Sequence, residues 1–305
     1  MRVLGTLFAA LAGLAFGSFL NVCITRWSAD ESVLRPRSHC RSCGRTLTWW
    51  ENVPVVSWLA LRGRCRTCKA RIGWRHPLVE VLVGGTWAVA GWHAMPALYL
   101  PGWSGVSIFD ALFFASEQMI LCWLLIGLAV LDAEHLWLPD RLTLGGAVIG
   151  LPFTAARFTV HWIWVWIPWH WAAPTELVNH RTYVYTIAEL WLIGVLAAPG
   201  MILLTRWAYQ RVRSREGMGL GDAKLMLLLA VWLGLSYTLL AFLLGVVIGA
   251  VAALVVLATR RNGHERGEWA IARLPLGTFL CVGGMVSALW GRPMIAAYLR
   301  WCNFY

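Results

Sequence analysis

Long apolar stretches alternate with short polar segments along the whole chain. Eight of them cover roughly residues 3–25, 77–100, 108–131, 138–158, 184–205, 220–236, 237–259 and 274–291. Stretches of this length can cross a bilayer as α-helices, and they are too long and too unbroken for the strands of a membrane barrel. A lipid-exposed backbone must satisfy its own hydrogen bonds, which again favours helices. The pattern predicts an all-α polytopic membrane protein with about eight transmembrane helices.

The composition agrees with this class. Of the 305 residues, 59% are hydrophobic and only 13% are charged, whereas soluble domains carry about 25% charged residues. The first apolar stretch, Val3 to Ile24, lacks a basic leading region and a small-residue cleavage site. It is therefore predicted to be a membrane helix rather than a cleaved signal peptide.

The positive charge follows the loops. Of the 26 Lys and Arg residues, 20 lie in the alternate segments 26–76, 132–141, 206–219 and 260–273. Basic residues concentrate in cytoplasmic loops, where they face anionic lipid. The distribution predicts that both termini lie outside, that these four segments face the cytoplasm and meet membrane lipids, and that the net charge of +11 does not serve nucleic acid.

These predictions divide the chain into three parts. Residues 1–25 form a first transmembrane helix, and 26–76 form a cytoplasmic loop. Residues 77–305 form a transmembrane core that carries helices two to eight and a Trp-rich outside loop over 159–183. Trp prefers the membrane interface, so the Trp-rich loop is interpreted as an aromatic platform at the outer leaflet.

The cytoplasmic loop contains two matched cysteine pairs, Cys40-Arg-Ser-Cys43 and Cys65-Arg-Thr-Cys68, separated by 21 residues. Each pair offers two thiolates on one tight turn, and two pairs complete a tetrahedral S4 set for structural zinc. Disulfides or a thioredoxin-like redox pair are the alternatives. A reducing cytoplasm argues against disulfides, and a redox pair does not require two matched motifs. The spacing favours a small zinc-ribbon-like loop.

One acidic residue stands out at the mouth of the sixth stretch, in Gly217-Met-Gly-Leu-Gly-Asp222-Ala-Lys224. Acids at membrane depth are costly and usually face a protein interior or a water-filled cavity. A second acid, Asp132, ends the third stretch at the same predicted membrane face, where a helix C-terminus disfavours an anion. Two such carboxylates can share a proton, as in an aspartyl protease dyad. The three glycines would let a substrate backbone approach.

Two further acids have simpler interpretations beside functional ones. Asp140 follows Pro139 at the start of a helix and is explained by helix capping, although it could face the same cavity as Asp132. Glu80 lies about one turn inside the second stretch, where it is either the buried partner of an arginine or part of a second active site. From these patterns an ion- or substrate-coupled transporter with a zinc-stapled loop remains the alternative to a protease.

Several motifs together resemble a known family. They are Gly17-Ser-Phe-Leu-Asn-Val, the two cysteine pairs with Asn52-Val-Pro-Val-Val-Ser-Trp58 between them, Pro77-Leu-Val-Glu80, Leu131-Asp132 with Leu138-Pro139-Asp140, Gly217 to Leu225, and Leu274-Pro-Leu-Gly277. In this order and over nearly the whole chain, they resemble the type IV prepilin peptidases, Gly-x-Gly-Asp membrane aspartyl proteases. Two features depart from that pattern: the Trp-rich segment is longer than usual, and Leu276 stands where an aromatic residue is common.

The resemblance implies a function and a set of site residues. It implies an inner-membrane enzyme that cleaves prepilin and pseudopilin leader peptides after a glycine at the cytoplasmic face, with Asp132 and Asp222 as the catalytic acids. It further implies N-methylation of the new N-terminus with S-adenosylmethionine, because the cysteine loop is present. Glu80 and Gly84 are carried over as donor-site residues, and Asp140, Gly217, Gly219, Gly221 and Lys224 as supporting residues.

Overall fold

The computed structural model describes residues 2–94, 105–166, 174–213, 219–260 and 275–302. Within these ranges the protein is helical and forms no β-strand. The α-helices are α1 (Arg2–Trp27), α2 (Val56–Ala60), α3 (Arg75–Ala94), α4 (Gly105–His135), α5 (Asp140–Trp166), α6 (Pro174–Arg213), α7 (Leu220–Arg260) and α8 (Leu276–Trp301), and a 3₁₀ helix covers Trp49–Asn52. The predicted all-α class is confirmed.

Six helices are long and apolar enough to cross a membrane, counted over the described residues. These spans are Arg2–Trp27, Ala111–His135, Asp140–Thr159, Ala188–Val212, Leu220–Ala258 and Leu276–Trp301. The second predicted span, 77–100, corresponds to α3, which is not among the six. Its described part ends at Ala94, and it carries charged and aromatic residues that lower its hydropathy. The chain is a multi-pass membrane protein.

The long helix α7 combines two predicted spans. Gly234 interrupts it with φ 73° and ψ −179°, a conformation open in practice to glycine alone. Beyond Gly234 the chain runs antiparallel to α8, because Tyr237 lies against Gly291 whereas Gly249 lies against Phe279. The arms 220–233 and 235–260 therefore form a helical hairpin. This turn accounts for the predicted division into 220–236 and 237–259.

The chain divides into two compact units, Met1–Leu131 and Asp132–Tyr305. In the first unit, α1 and α3 are packed closely through small residues. An added Cβ at Gly13 would lie 2.9 Å from the Gly84 Cα, and one at Gly17 would lie 2.7 Å from the Glu80 Cα. Asn21 of α1 donates a hydrogen bond to the His76 carbonyl of α3 over 2.9 Å. Small residues and a hydrogen bond between the helices therefore hold this face of α1 against α3.

The Trp-rich segment differs from the predicted outside loop. Helix α5 continues to Trp166 and α6 begins at Pro174, so most of 159–183 is helical. Apolar residues continue α5 to Trp166, whereas α6 begins in the more polar stretch 174–183. Residues 167–173, which include Trp169 and Trp171, lie outside the described residues.

Candidate functional site

Asp132 lies in the last turn of α4 and is buried. Leu136 ends the helix with φ 50°, and its N–H donates to the Asp132 carbonyl. The carboxylate receives its donors from another helix: its Oδ2 accepts hydrogen bonds from the Thr278 N–H at 2.6 Å and the Thr278 hydroxyl at 3.0 Å. Thr278 belongs to the first turn of α8, whose positive end offsets the unfavourable dipole of α4.

Asp222 lies in the first turn of α7. Its carboxylate accepts a hydrogen bond from the Gly219 N–H and is close enough to Asp132 to repel it electrostatically. The contact with Gly219 has the form of a capping box, in which an acid at the third helical position reaches back to the amide before the helix. The sequence thus forms this helix start locally, and the start fixes the carboxylate toward Asp132.

Leu138 lies between the two acidic helix ends. Its side chain would be 3.1 Å from a Cβ added at Gly221 and 3.0 Å from one added at Gly277. Cys281, one turn beyond Thr278, is buried and within electrostatic range of both carboxylates. Asp132 and Asp222 therefore lie in one apolar cluster formed by the ends of α4, α7 and α8, an arrangement in which two carboxylates can hold one proton between them.

The glycines around the acids differ in how tightly they are enclosed. An added Cβ at Gly277 would lie 2.9 Å from the Asp132 Oδ2, whereas one at Gly219 would meet described residues only at 3.7 Å or more. Gly277 therefore lets the Asp132 carboxylate lie against the start of α8. Gly217, predicted as a supporting residue, lies outside the described residues.

Asp140 has a different partner from the one that capping predicts. It is the first residue of α5, and its carboxylate accepts a hydrogen bond from the Lys224 Nζ. Lys224 lies two residues beyond Asp222, so this pair connects the start of α5 to the start of α7. The side chains are 60% and 35% exposed, and an ion pair this accessible contributes more to position than to stability.

The four predicted metal-binding cysteines converge. The sulfur atoms of Cys40, Cys43, Cys65 and Cys68 all lie within 4.8 Å of one another, and the Cys40 and Cys68 sulfurs are 3.7 Å apart. Tetrahedral zinc with Zn–S bonds of about 2.3 Å requires sulfur separations near ~3.8 Å. The backbone amides of Cys68 and Thr67 lower the pKa of the Cys65 thiol to about 6, which favours the thiolate form that metals bind. The donor set fits a zinc ion.

A partly buried ion pair lies within the cysteine loop. The Arg45 guanidinium donates to both oxygens of Glu51, and the Thr48 N–H and hydroxyl donate to the Glu51 Oε2 at 2.8 and 2.7 Å. Arg45 and Thr48 together lower the pKa of Glu51 to about 2. Arg26 is also buried and donates to the carbonyls of Ser32, Val33 and Pro36. Arg26 therefore fixes the turn after α1 instead of reaching outward to lipid.

The two residues predicted for the methyl donor have different surroundings. Glu80 is buried, and its carboxylate accepts hydrogen bonds from the Val55 N–H at 2.7 Å and the Ser18 hydroxyl. Its observed partners are therefore neutral groups and not the arginine considered from the sequence. Gly84 faces α1, where an added Cβ would lie 2.9 Å from the Leu14 side chain. Helix packing is sufficient to explain a glycine at this position.

Thr278 is the site residue that sequence reasoning missed. In the sequence, Thr278 merely follows Pro275 and the small residue Gly277 at the start of the last apolar stretch. A signal was available, since a hydroxyl in the first turn of a helix next to a buried acid can donate to that acid. Without a fold, however, nothing indicated that α8 begins beside the end of α4.

Comparisons with known proteins place the chain in a family. Residues 11–94 match the bacterial peptidase A24 N-terminal domain, and residues 119–254 match the type IV leader peptidase family. A prepilin leader peptidase/N-methyltransferase of Stutzerimonas stutzeri is 30% identical, over 97% of this chain and 94% of the relative. The protein of the same name from Burkholderia pseudomallei strain 1026b is 33% identical, over 94% and 85% respectively. No solved structure gives a significant match.

The fold and the site define a polytopic membrane protein with paired carboxylates at its helix ends and a four-cysteine loop. The family follows from the extent of the matches, which cover nearly the whole chain. The chain belongs to the type IV leader peptidase family, and it is a bifunctional peptidase and methyltransferase of the bacterial inner membrane.

Proposed function

We propose that this enzyme cleaves the leader peptides of type IV prepilins and pseudopilins after a glycine at the cytoplasmic membrane face, and methylates the new N-terminus. The observation that carries the peptidase assignment is the meeting of Asp132 and Asp222 in one apolar cluster. The names of the relatives support the substrate class. The distribution of Lys and Arg supports a cytoplasmic active site, with both termini outside and the basic loops against lipid.

The proposed dyad acts as a general base and a general acid. Neighbouring carboxylates resist simultaneous ionisation, so the two acids are proposed to share one proton. The ionised member takes a proton from water, which attacks the scissile carbonyl, while the protonated member donates a hydrogen bond to the carbonyl oxygen. The two hydrogen bonds from Thr278 hold the Asp132 carboxylate in place during this exchange.

The glycines give the substrate room beside the acids. Among the described residues, a Cβ added at Gly219 would meet nothing closer than the Asp222 Oδ2 at 3.7 Å, so the glycine leaves room for a substrate backbone beside the Asp222 side chain. A leader peptide bound in extended form could bring its backbone carbonyls close to the acids, because a glycine has no Cβ in the way. The sequence Gly219-Leu-Gly221 therefore serves substrate access, whereas Gly277 serves the position of Asp132.

The methyltransferase activity requires a donor, and the cysteine loop requires a metal. S-adenosylmethionine, when bound, supplies a methyl group that passes to the amine nitrogen as the S–C bond breaks, its electron pair stays on sulfur and the amine proton leaves to water. Glu80 is proposed to contact the donor or the amine. The four cysteines are proposed to hold one structural zinc ion, which would fix the two cysteine turns relative to each other.

The dyad is tested by Asp132→Asn and Asp222→Asn, made singly. Each variant should reduce cleavage of a co-purified prepilin by about 10²- to 10⁴-fold, the usual contribution of general acid–base catalysis. Amide for carboxylate preserves size, so thermal unfolding should change little. Glu134→Gln is the matched control, since Glu134 lies in the same turn of α4 but is exposed. Normal processing by both Asn variants would refute the dyad and favour a transport role for these acids.

A further inference from the structure

A cavity of about 360 Å³ opens in the first unit between α1, the cysteine loop and α3. Asn21, His76 and Glu80 line it, and so do four arginines, Arg26, Arg41, Arg66 and Arg71. Small-molecule sites of proteins typically occupy about 300–1,000 Å³. The cavity is thus large enough for a small ligand or the end of a peptide, and the dyad does not use it.

Asn21 lines this cavity and carries a buried acceptor without a hydrogen-bond partner in the part of the chain that the structure describes. Its side chain is 4% exposed, and its Nδ2 donates to the His76 carbonyl. Because only the nitrogen can donate, this bond fixes the orientation of the amide and identifies the other atom as Oδ1. No hydrogen-bond donor reaches Oδ1 among the described residues. A buried acceptor without a partner costs about 1–3 kcal/mol, so a ligand or water that donates to it is expected.

Glu80 presents a buried carboxylate to the same cavity. It is 7% exposed, and the partners observed for it, the Val55 N–H and the Ser18 hydroxyl, carry no charge. Buried carboxylates are usually paired with a cation, because uncompensated burial of the charge is expensive. The surroundings of Glu80 therefore favour a ligand that brings a positive charge.

The helix register directs these two groups toward each other. Gly17 packs against Glu80, and Asn21, one turn later on α1, bonds to His76, one turn earlier on α3. The helices are therefore antiparallel here. Side chains lean toward the N-terminus of their own helix, so Asn21 leans toward the level of Glu80, and Glu80 toward the level of Asn21. One turn is about 5.4 Å, a span that one nitrogen can bridge with two hydrogen bonds.

The backbone beside the cavity is strained in a way that serves Glu80. Val55 has φ 58° and ψ −49°, and the Val56 N–H bonds to the Pro54 carbonyl, which together define a γ-turn of the rare positive-φ type. A β-branched residue is costly in this conformation, and such strain clusters at ligand-binding positions. Here the turn directs the Val55 N–H at the Glu80 carboxylate and thereby orients it.

We propose that Asn21 Oδ1 and the Glu80 carboxylate form a binding subsite for a primary ammonium group within the methyltransferase. Methylation involves two such groups, the α-ammonium of S-adenosylmethionine and the new N-terminal amine of the pilin. The subsite rests on the proposed methylation and identifies where one of these groups is held. A divalent metal fits less well, since hard cations require about six or more oxygen ligands.

Donor binding to the purified full-length enzyme tests the first source. Glu80→Gln removes the charge but keeps the shape and an acceptor for Val55. It should raise the Kd for radiolabelled S-adenosylmethionine by about 10- to 100-fold, the contribution of a hydrogen bond to a charged group. Glu31→Gln is the matched control: Glu31 also lines the cavity, but its side chain is 53% exposed and pairs with Arg41 at 3.7 Å. It should change the Kd by less than about threefold.

A second measurement uses the wild-type enzyme and does not depend on how a variant folds. S-adenosylhomocysteine and its N-acetyl derivative compete for the donor site, and only the first carries an ammonium group. For the second source, a pilin-like peptide with a free N-terminus is compared with its N-acetyl form as an inhibitor of methylation. Thermal unfolding of Glu80→Gln serves as the check of folding.

The outcomes distinguish an ammonium group of the donor from one of the pilin, and both from an incorrect inference. Weakened donor binding in Glu80→Gln together with loss of competition on N-acetylation assigns the subsite to the donor. Unchanged donor binding with sensitivity confined to the free peptide amine assigns it to the pilin. If neither ligand responds to acetylation or to Glu80→Gln, the subsite holds water only and the inference is wrong. A wild-type enzyme that neither binds the donor nor methylates contradicts the proposed function itself.

Discussion

Gly277 offers the sharpest test of how the candidate dyad is built. Its position at the start of α8 lies directly against Asp132, and replacing it with alanine adds one methyl group at that contact. The added Cβ would lie 2.9 Å from the Asp132 Oδ2, 3.0 Å from its Cγ and 3.0 Å from the Leu138 side chain. Each of these distances is shorter than ordinary non-bonded contact, which begins near ~3.5 Å.

The expected effect follows from these distances. The carboxylate must shift by about 0.5 Å to restore normal contact, and it then loses the short bonds from Thr278. Catalytic groups have to be held within about 0.5 Å, and a displacement of about 1 Å can cost 10²-fold in rate. We expect Gly277→Ala to reduce kcat for leader cleavage by about 10- to 100-fold. Overpacking of about 1–3 kcal/mol should leave the protein folded.

Prepilin cleavage followed by mass spectrometry, with thermal unfolding of the same preparations, measures both effects. Gly145→Ala is the control, because a Cβ at Gly145 in α5 would meet nothing closer than 4.0 Å within the described part of the chain. Gly219→Ala adds a second comparison: its contacts with the enzyme are ordinary, so a loss there reports on substrate approach. If Gly277→Ala cleaves at the wild-type rate, the steric account of Asp132 is wrong.

Two further predictions concern the cysteine loop. Purified enzyme should contain about one zinc ion per chain by metal analysis. Cys43→Ser should lose the zinc ion, and the control Cys302→Ser should keep it. Metal-free protein with four free thiols in the loop would refute the site. The pKa of Glu51 is lowered to about 2 in the folded protein, from an ordinary value of about 4.3. The ionised Glu51 carboxylate therefore stabilises the fold above about pH 4.3, and this stabilisation is lost as the pH falls toward 2. The difference in Tm between wild type and Glu51→Gln should therefore narrow over that range, and a constant difference would contradict the ion-pair account.

The sequence allowed prediction wherever the physics is local. Apolar continuity predicted the helical class, and the spacing of Cys40, Cys43, Cys65 and Cys68 predicted a cluster that the structure brings within 4.8 Å. The acids are an intermediate case. Charge counting put Asp132 and Asp222 at one membrane face, and the structure brings both to the ends of helices that meet. Depth along a helix can be read from the sequence, because each residue advances by a fixed rise.

Lateral neighbours could not be predicted, because they depend on how helices pack. Helix capping explained Asp140 from the sequence, but in the structure the start of α7 lies close enough for Lys224 to donate a hydrogen bond to the Asp140 carboxylate. Glu80 was predicted to be either the partner of an arginine or part of a second active site, and the turn at Val55 supplies a backbone amide to it. Arg26, at the end of the first apolar stretch, donates to three carbonyls of the following turn. In each case the residue type indicated a need for a partner, and only tertiary structure identified it.

The reversal at Gly234 explains why Asp222 meets Asp132 from a fixed direction. Residues 222 and 249 are 27 positions apart, which a straight helix would separate by about 40 Å. Yet Asp222 lies beside Asp132, which bonds to Thr278, and Gly249 packs against Phe279, the next residue of α8. Both arms of α7 therefore reach the same end of α8. Gly245 packs closely on Leu280, so the returning arm fixes α8, and α8 in turn fixes Asp132. Through α8 the hairpin thus positions both carboxylates.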